Sequence, residues 1–274
     1  MSSSTAPLER PRISACIIAF NEADRISDCL ASLAFCDEVV LVDSLSSDDT
    51  VALAQAAGAR VLQRPFEGFR SQKDFALSQA THDWVLCLDA DERISQTLRA
   101  SIEAARDGGF AGQAGYRFAR LSDYFGRFLR HGNAYPDRVL RLFDRRRGGW
   151  RGKREIHEAA SVDGPVATLR GDLIHFPYRS LEQQLAKTQR YARMMAEHEF
   201  ARGKRASWSK LVLAPAWRFW RGYVIRAGFL DGWRGLVYAY VRANYVRQKA
   251  IMLWLLQHGQ PVADPPRPQT RRSD

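Results

Sequence analysis

Residues 84–95 read WVLCLDADERIS, an apolar run that stops abruptly at Asp89-Ala90-Asp91-Glu92. A run of about four to eight apolar residues ending in charge reads as a strand buried on both faces, with its carboxyl end at solvent. The same form occurs twice earlier. Ile13 to Phe20 stops at Asn21-Glu22, and Glu38 to Val42 stops at Asp43-Ser44. Between these runs the apolar residues switch to helical spacing. Ile26, Leu30 and Leu33 mark a helix over Glu22 to Ala34. A second helix is capped by Asp48 or Asp49 and closed by Gly58, and a third covers Ser71 to Ala80. Arg60 to Gln63 reads as a short strand, and Ser95 caps a helix to about Arg106. Strand and helix alternating at this spacing predict an α/β fold, a Rossmann-like, mostly parallel sheet flanked by helices. Ligands of such sheets sit outside the carboxyl ends of the strands. All three polar clusters fall there.

After Gly115 the pattern changes to short strands (Tyr116 to Arg120, Val139 to Phe143, Val166 to His175), which predict a mixed extension of the sheet. Ser180 with Gln183 forms a capping box that opens a helix. Cys16, Cys29, Cys36 and Cys87 show neither CxxC nor zinc spacing, so reduced, buried thiols are expected. The polar start, Met1 to Arg12, has no apolar run of signal-peptide length. No GxGxxG or GxxxxGK[ST] appears, which argues against a dinucleotide fold and a P-loop.

Asp89 and Asp91 offer hard oxygen ligands at a strand end, the chemistry that suits Mg²⁺ or Mn²⁺ beside a substrate diphosphate. The bland alternative is a solvated loop capping the next helix. Asp43, at the neighbouring strand end, is placed to accept hydrogen bonds from a nucleotide base or ribose; its bland alternative is a turn residue. A metal-dependent phosphohydrolase would use Asp89 as nucleophile, but such a motif usually follows the first strand, and here it follows the fourth. A non-catalytic basic membrane or nucleic-acid adaptor is the other alternative.

Four stretches, IIAFNEADRISDCLASL, EVVLVDSLSSDDT, FEGFRSQKDFAL and WVLCLDADERIS, resemble the family 2 glycosyltransferases. The likeness is strongest to the lipopolysaccharide core beta-glucosyltransferases of the WaaE/KdtX type. It continues through RHGNAYPDRVLRLFDRR, REIHE and the stretch from YRSLEQQLAKTQRYA to GFLDGWRGLVYAY, so it spans nearly the whole chain. The resemblance implies the GT-A nucleotide-diphospho-sugar transferase fold and an inverting transfer of a hexose, glucose from UDP-glucose, onto a lipopolysaccharide core sugar or lipid-linked glycan. It implies that Phe20, Asn21, Glu22, Asp43 and Asp89 hold the nucleotide sugar and that Lys73 lies near the diphosphate. Asp89 and Asp91 match the metal motif, Asp91 as the direct ligand, with His157 completing the shell or binding phosphate. An inverting enzyme needs one general base. Asp137 and Glu158 are the candidates, Asp137 preferred, each with an ion pair as its bland alternative. Arg130 and His131 would touch the acceptor. Leu45 stands where the family usually has Gly, and Asp74 where it has Asn. The expected organisation is a flexible 1–12, a catalytic domain 13–178 (nucleotide-sugar half 13–110, acceptor half 111–178), a helical extension 179–258 and a disordered tail 259–274.

The net charge of +11 is local. Residues 1–200 carry 27 charges of each sign, whereas residues 201–250 carry eleven Lys or Arg against the single acid Asp231. Five of the seven tryptophans lie between residues 208 and 254. The apolar stretches there fall well short of the ~20 residues of a bilayer span. Interfacial helices docking residues 201–256 on the anionic inner face of the cytoplasmic membrane are expected, ahead of plain packing and of nucleic acid, which is not expected as a partner. The protein is expected to be cytoplasmic and peripheral there.

Overall fold

The computed structural model describes residues 10–150 and 159–262. In chain order the elements are β1 (Ile13–Ala19), α1 (Ile26–Ala31), β2 (Glu38–Asp43), α2 (Thr50–Ala56), β3 (Arg60–Gln63), α3 (Phe69–Gln79), β4 (Trp84–Asp89), β5 (Glu92–Ile94) and α4 (Gln96–Asp107). They continue with β6 (Gly115–Ser122), β7 (Asp137–Asp144), β8 (Gly148–Gly149), β9 (Ser161–Val162), β10 (Val166–His175), α5 (Leu181–Ala201), α6 (Trp208–Trp220) and α7 (Gly232–Gln257). The main sheet runs β3-β2-β1-β4-β7-β6-β10-β5. Its first half is parallel, as the apolar runs predict. Ile13, Ala15, Ile17 and Ala19 enter one core with Leu41, Leu86, Leu88, Leu98 and Ile102. Cys16 faces the other way, into a cluster with Val42, Val85, Cys87, Phe143 and Trp150. Both faces are covered, so these strands carry continuous rather than alternating apolar residues.

The second half is mixed. Strand β7 lies between β4 and β6, antiparallel to both. Strand β10 runs parallel to β6, and β5 folds onto β10 in antiparallel register, pairing Glu92 with His175. The sequence pattern predicts β6, β7 and β10 but not β5. A three-residue strand has no periodicity to read, and its partner lies far along the chain.

Two local expectations are corrected. Helix α1 begins at Ile26, not Glu22. The preceding amides are bonded to the next loop: Asn21 N to Ser46 Oγ at 2.8 Å, Glu22 N to Thr50 Oγ1 at 2.8 Å and Ala23 N to Asp48 Oδ2 at 3.1 Å. Asp48 Oδ2 thereby ties two loops together while its Oδ1 accepts from Thr50 N, the first amide of α2, at 3.1 Å, and Asp49, the residue before α2, makes no side-chain capping bond. Ser95 and Ser180 cap α4 and α5 as read from sequence. Gln183 Oε1 accepts from Arg179 N at 2.7 Å, one residue before the usual partner of a capping box.

The described residues divide into two compact units. One holds the chain up to Arg130 together with Ala134–Pro177. The other holds His131–Asn133 and the chain from Tyr178 onward. All four cysteines are free thiols. Burial pushes the Cys29 thiol far up and that of Cys36 up to about 12, so both stay protonated.

At the amino end of the sheet Glu38 gathers Ser14 Oγ (2.5 Å), Thr81 N (2.8 Å), Thr81 Oγ1 (2.7 Å) and Arg60 Nη2 (2.9 Å). Burial alone would raise its pKa. The hydrogen bonds from Ser14, Arg60 and Thr81 outweigh burial and bring it to about 2. The folded value lies below the unfolded one, so Glu38 stabilises the fold above the ordinary carboxylate range and loses that contribution as pH falls toward about 2. Urea midpoints measured from neutral to acid pH should therefore fall less steeply for Glu38→Gln than for the parent chain. Parallel curves would refute this linkage.

Candidate active site

The polar clusters lie at the carboxyl edge of the parallel strands, where β1, β2 and β4 end. Asp43 closes β2 and is fully buried. Its Oδ2 accepts from Ser46 N at 2.9 Å and Gln63 Nε2 at 3.1 Å, and its Oδ1 accepts from Ser46 Oγ. Ser46 Oγ in turn receives Asn21 N. Asp43 thus shapes the turn and joins two loops, whereas the sequence reading has it bonding a nucleotide directly. Leu45, next to it, is half exposed in a left-handed conformation (φ 63°), and Asn21 matches it at the end of β1 (φ 53°). That backbone suits glycine, since a side chain there costs about 1–2 kcal/mol. Phe20 is exposed beside Asn21 and Glu22.

The DxD motif divides. Asp89 turns toward two cationic side chains, while Asp91 turns toward an imidazole. Lys73 Nζ, from α3, lies 2.9 Å from Asp89 Oδ1 and 4.6 Å from the centre of the Trp150 ring. Arg141, from β7, donates through Nη2 to Asp89 Oδ2 at 3.0 Å and to Glu92 Oε1 at 2.9 Å. Arg120 reaches Glu92 Oε1 at 3.3 Å and donates twice to Asp137 Oδ2, at 3.1 and 2.6 Å. Lys73, Asp89, Arg141, Glu92, Arg120 and Asp137 therefore form one chain of alternating charge. Burial opposes ionisation of Asp89. The charges of Lys73 and Arg141, with their hydrogen bonds, hold its carboxyl far below the usual carboxylate range. Burial likewise works against the Arg141 guanidinium, and Glu92 and Asp89 more than compensate.

Asp91 Oδ2 lies 3.5 Å from His175 Nε2, and His175 Nδ1 lies 3.0 Å from Ser122 Oγ. Sheet register makes this meeting. Ser122 and His175 are register partners at the ends of β6 and β10, and β5 carries Asp91 to the same edge. Phe176 N donates to Asp91 O at 2.9 Å and fixes the turn.

Among the described residues no three His, Cys, Asp or Glu side chains converge to hold a metal ion. Of the expected cation set, Asp89 faces Lys73 and Arg141, Asp91 faces His175, and His157 lies outside the described residues; Asp43 bonds within its own turn. A carboxylate oxygen and an imidazole nitrogen at one strand edge do fit a cation that accepts both, as Mn²⁺ does more readily than Mg²⁺. The Ser122 hydroxyl on the far ring nitrogen orients the imidazole, as hydrogen-bond partners of ligating histidines do.

The remaining expected residues are dispersed. Asp137 is half exposed at the start of β7 in its pair with Arg120. Arg130 is exposed at the end of the first unit's long segment. His131 is engaged with Asp231 in the helical unit, its N and Nδ1 at 2.9 and 3.0 Å from the carboxylate. His157 and Glu158 lie outside the described residues. The sequence reading missed His175, Glu92, Arg120, Arg141 and Trp150. The only cue to His175 was its position as the last residue of a strand.

Arg141 holds two carboxylates with almost no exposure of its own. Replacing it by Met should cost about 3–5 kcal/mol in urea denaturation, the penalty of uncompensated buried charge. Adding Glu92→Gln should recover part of the loss. A cost below about 1 kcal/mol, typical of a surface pair, would refute the network's role.

Comparison with known proteins gives the family. The Glycosyl transferase family 2 model matches residues 14–161. The chain is 34% identical over 253 residues to the lipopolysaccharide core biosynthesis glycosyltransferase LpsC of Rhizobium meliloti (strain 1021), covering 86% of this chain and 92% of that protein. It is 32% identical over 242 residues to an uncharacterized glycosyltransferase of Rickettsia felis, covering 82% and 83%. Among solved structures it is similar to S. aureus TarS 1-349 at a TM-score of 0.46 and 17% identity, over 92% and 93% of the two chains. With a mostly parallel α/β sheet of the GT-A class and motifs at its carboxyl edge, the chain belongs to glycosyltransferase family 2.

Proposed function

We propose that this protein is an inverting hexosyltransferase that moves glucose from UDP-glucose onto a lipopolysaccharide core sugar or lipid-linked glycan at the inner face of the cytoplasmic membrane. The observation that carries the reading is the pairing of Asp91 with His175 beside the Lys73–Asp89–Arg141 network, at the edge where a sheet of this kind binds its ligand. The similarity to a lipopolysaccharide core enzyme supports the acceptor class.

In this reading the loops after β1 and β2, braced by Asp43, Ser46 and Asn21, shape the nucleoside site, with Phe20, Asn21 and Glu22 on its wall. Asp89, fixed by two cations, hydrogen-bonds the donor and keeps Lys73 turned toward the diphosphate. Asp91 and His175 hold Mn²⁺ or Mg²⁺. When bound, that cation supplies positive charge to the departing diphosphate. Asp137 takes the proton from the acceptor hydroxyl as its oxygen forms a bond to the anomeric carbon. The bond from that carbon to the diphosphate breaks on the opposite face, and the nucleotide leaves with the electron pair. Arg120 orients Asp137. Arg130 contacts the acceptor. Residues 201–256 face the anionic membrane, and among the described residues no helix is long and apolar enough to cross it. A phosphohydrolase reading has no support, because Asp89, which would attack phosphorus, is bound to Lys73 and Arg141.

Titration calorimetry with UDP and Mn²⁺ tests the metal pair. Asp91→Ala and His175→Ala should each lose Mn²⁺-dependent binding while the thermal midpoint stays near that of the parent chain. Loss in His157→Ala with retention in His175→Ala would reinstate His157 as the ligand.

Asp137→Asn should lower transfer by about 10²–10⁴-fold while UDP-glucose still binds. Transfer that survives in Asp137→Asn and disappears in Glu158→Gln would make Glu158 the base.

A further inference from the structure

The corner between α6 and α7 is built with almost no side chains inside it. Helix α6 passes into a π-helical turn (Arg221–Ile225), then through Ala227 in a left-handed conformation to a 3-10 turn (Gly228–Asp231) that feeds α7. A Cβ on Gly222 would stand 2.9 Å from Asn133 Nδ2, one on Gly228 2.7 Å from Gly222 O, and one on Gly235 1.9 Å from Gly228 O. At Gly228 and Gly235 backbone lies directly on backbone, and at Gly222 the Asn133 side chain fills the space, so the large residues around these glycines have little interior to enter. Trp217, Trp220, Ile225, Phe229, Leu230 and Trp233 are instead displayed, each 48–60% exposed except Ile225 at 63%. The corner is also pinned. Gly132 N donates to Arg226 O at 2.8 Å, and His131 binds Asp231 through both its main chain and its ring.

The charge around this apolar knob has one sign. Asp231, the single acid among residues 201–250, is buried and occupied by His131, so it presents no negative charge at the surface. Arg218, Arg221, Arg226 and Arg234 flank the displayed side chains, and the Arg234 guanidinium stacks 4.4 Å over the Trp233 ring. Burial, followed by the nearness of Arg242, Arg221 and Arg226, depresses the Arg218 pKa, the mark of crowded like charges.

We propose that this corner is a wedge that enters the interface of an anionic bilayer, the six apolar side chains reaching the acyl boundary while the flanking arginines meet lipid phosphates. It rests on the membrane-facing reading of residues 201–256 and goes beyond it by assigning insertion to one preformed turn. Three physical arguments select the occupant. A second copy of the chain would bring an equally positive surface against this one, and like charges repel. Nucleic acid matches the charge, but Ile225 and Leu230 offer no face for base stacking, which such surfaces use. An anionic interface satisfies both the hydrocarbon and the cations. Because the glycine packing fixes the turn before contact, little ordering cost accompanies insertion.

The test is flotation of the full chain with vesicles of phosphatidylcholine containing about one-third phosphatidylglycerol, and with phosphatidylcholine alone, at low and high salt. Expected are flotation with the anionic vesicles that weakens with salt, and tryptophan quenching by brominated acyl chains. Ile225→Ser combined with Leu230→Ser should weaken vesicle affinity at least about tenfold, with thermal midpoint and UDP release from UDP-glucose in solution unchanged. Phe229→Ser alone serves as a second probe should the double variant not fold. The wedge is refuted if the parent chain ignores anionic vesicles, or if the substitutions leave flotation intact. It is equally refuted if light scattering shows that they dissolve a dimer of the parent chain, or if an oligonucleotide binds the corner in preference to lipid. UDP release measured on the same samples separates the two readings. Flotation without UDP release overturns the transferase reading alone, and UDP release without flotation overturns the wedge alone.

Discussion

A guanidinium with almost no access to water sits between two carboxylates, and the arrangement of the catalytic edge follows from it. Arg141 reaches Asp89 and Glu92 only because β7 is inserted between β4 and β6, running against both. Burying three charges together costs several kcal/mol per ion before any attraction is counted, so the arrangement persists only where partners meet at hydrogen-bonding distance. Lys73 and Arg120 extend the alternation at either end. The result is a fixed array of charge at a ligand edge, the arrangement that stabilises developing charge without reorganising when a reaction begins.

The same network assigns different work to the two aspartates of one motif. Asp89 ends a strand and points into the cations, whereas Asp91 lies in the following turn beside His175. A motif of two acids one residue apart looks from sequence like a pair of equivalent ligands. Extended backbone sends alternate residues to the same side, but the chain leaves the strand after Asp89, and the turn separates the two side chains. The Asp91–His175 pair, which we propose holds the cation, is therefore assembled across the sheet, from β10 as well as from the loop after β4. His175 makes no sense as a ligand until β5 has folded back onto β10.

This is also the boundary of what the sequence makes legible. The parallel half of the sheet, the edge at which ligands bind, the Ser95 and Ser180 caps and the locally concentrated positive charge all follow from patterns within a dozen residues. The roles of Arg141, Glu92 and His175 follow from register between strands distant in the chain, and no local periodicity encodes register. His157 drew attention because it stands beside Glu158, while His175 carried no flanking motif. Asp43 shows a different limit. Its position at a strand end is legible, but its oxygens are taken by Ser46 and Gln63, a local competition that only the folded turn displays.

The two units treat charge in opposite ways, and that contrast explains where the net +11 comes from. In the first, cations and anions alternate within bonding distance, and residues 1–177 carry 23 Lys or Arg against 24 Asp or Glu. In the helical unit the one acid among residues 201–250 is drawn inside to fasten His131, which leaves the surrounding arginines without surface compensation from that stretch. Selection for solubility alone would not bury the single acid beside so many exposed tryptophans, since both choices make the surface more adhesive. A surface that gains by being both cationic and apolar is one that meets a boundary of the same dual character. A phospholipid interface is such a boundary, with phosphates above and hydrocarbon beneath.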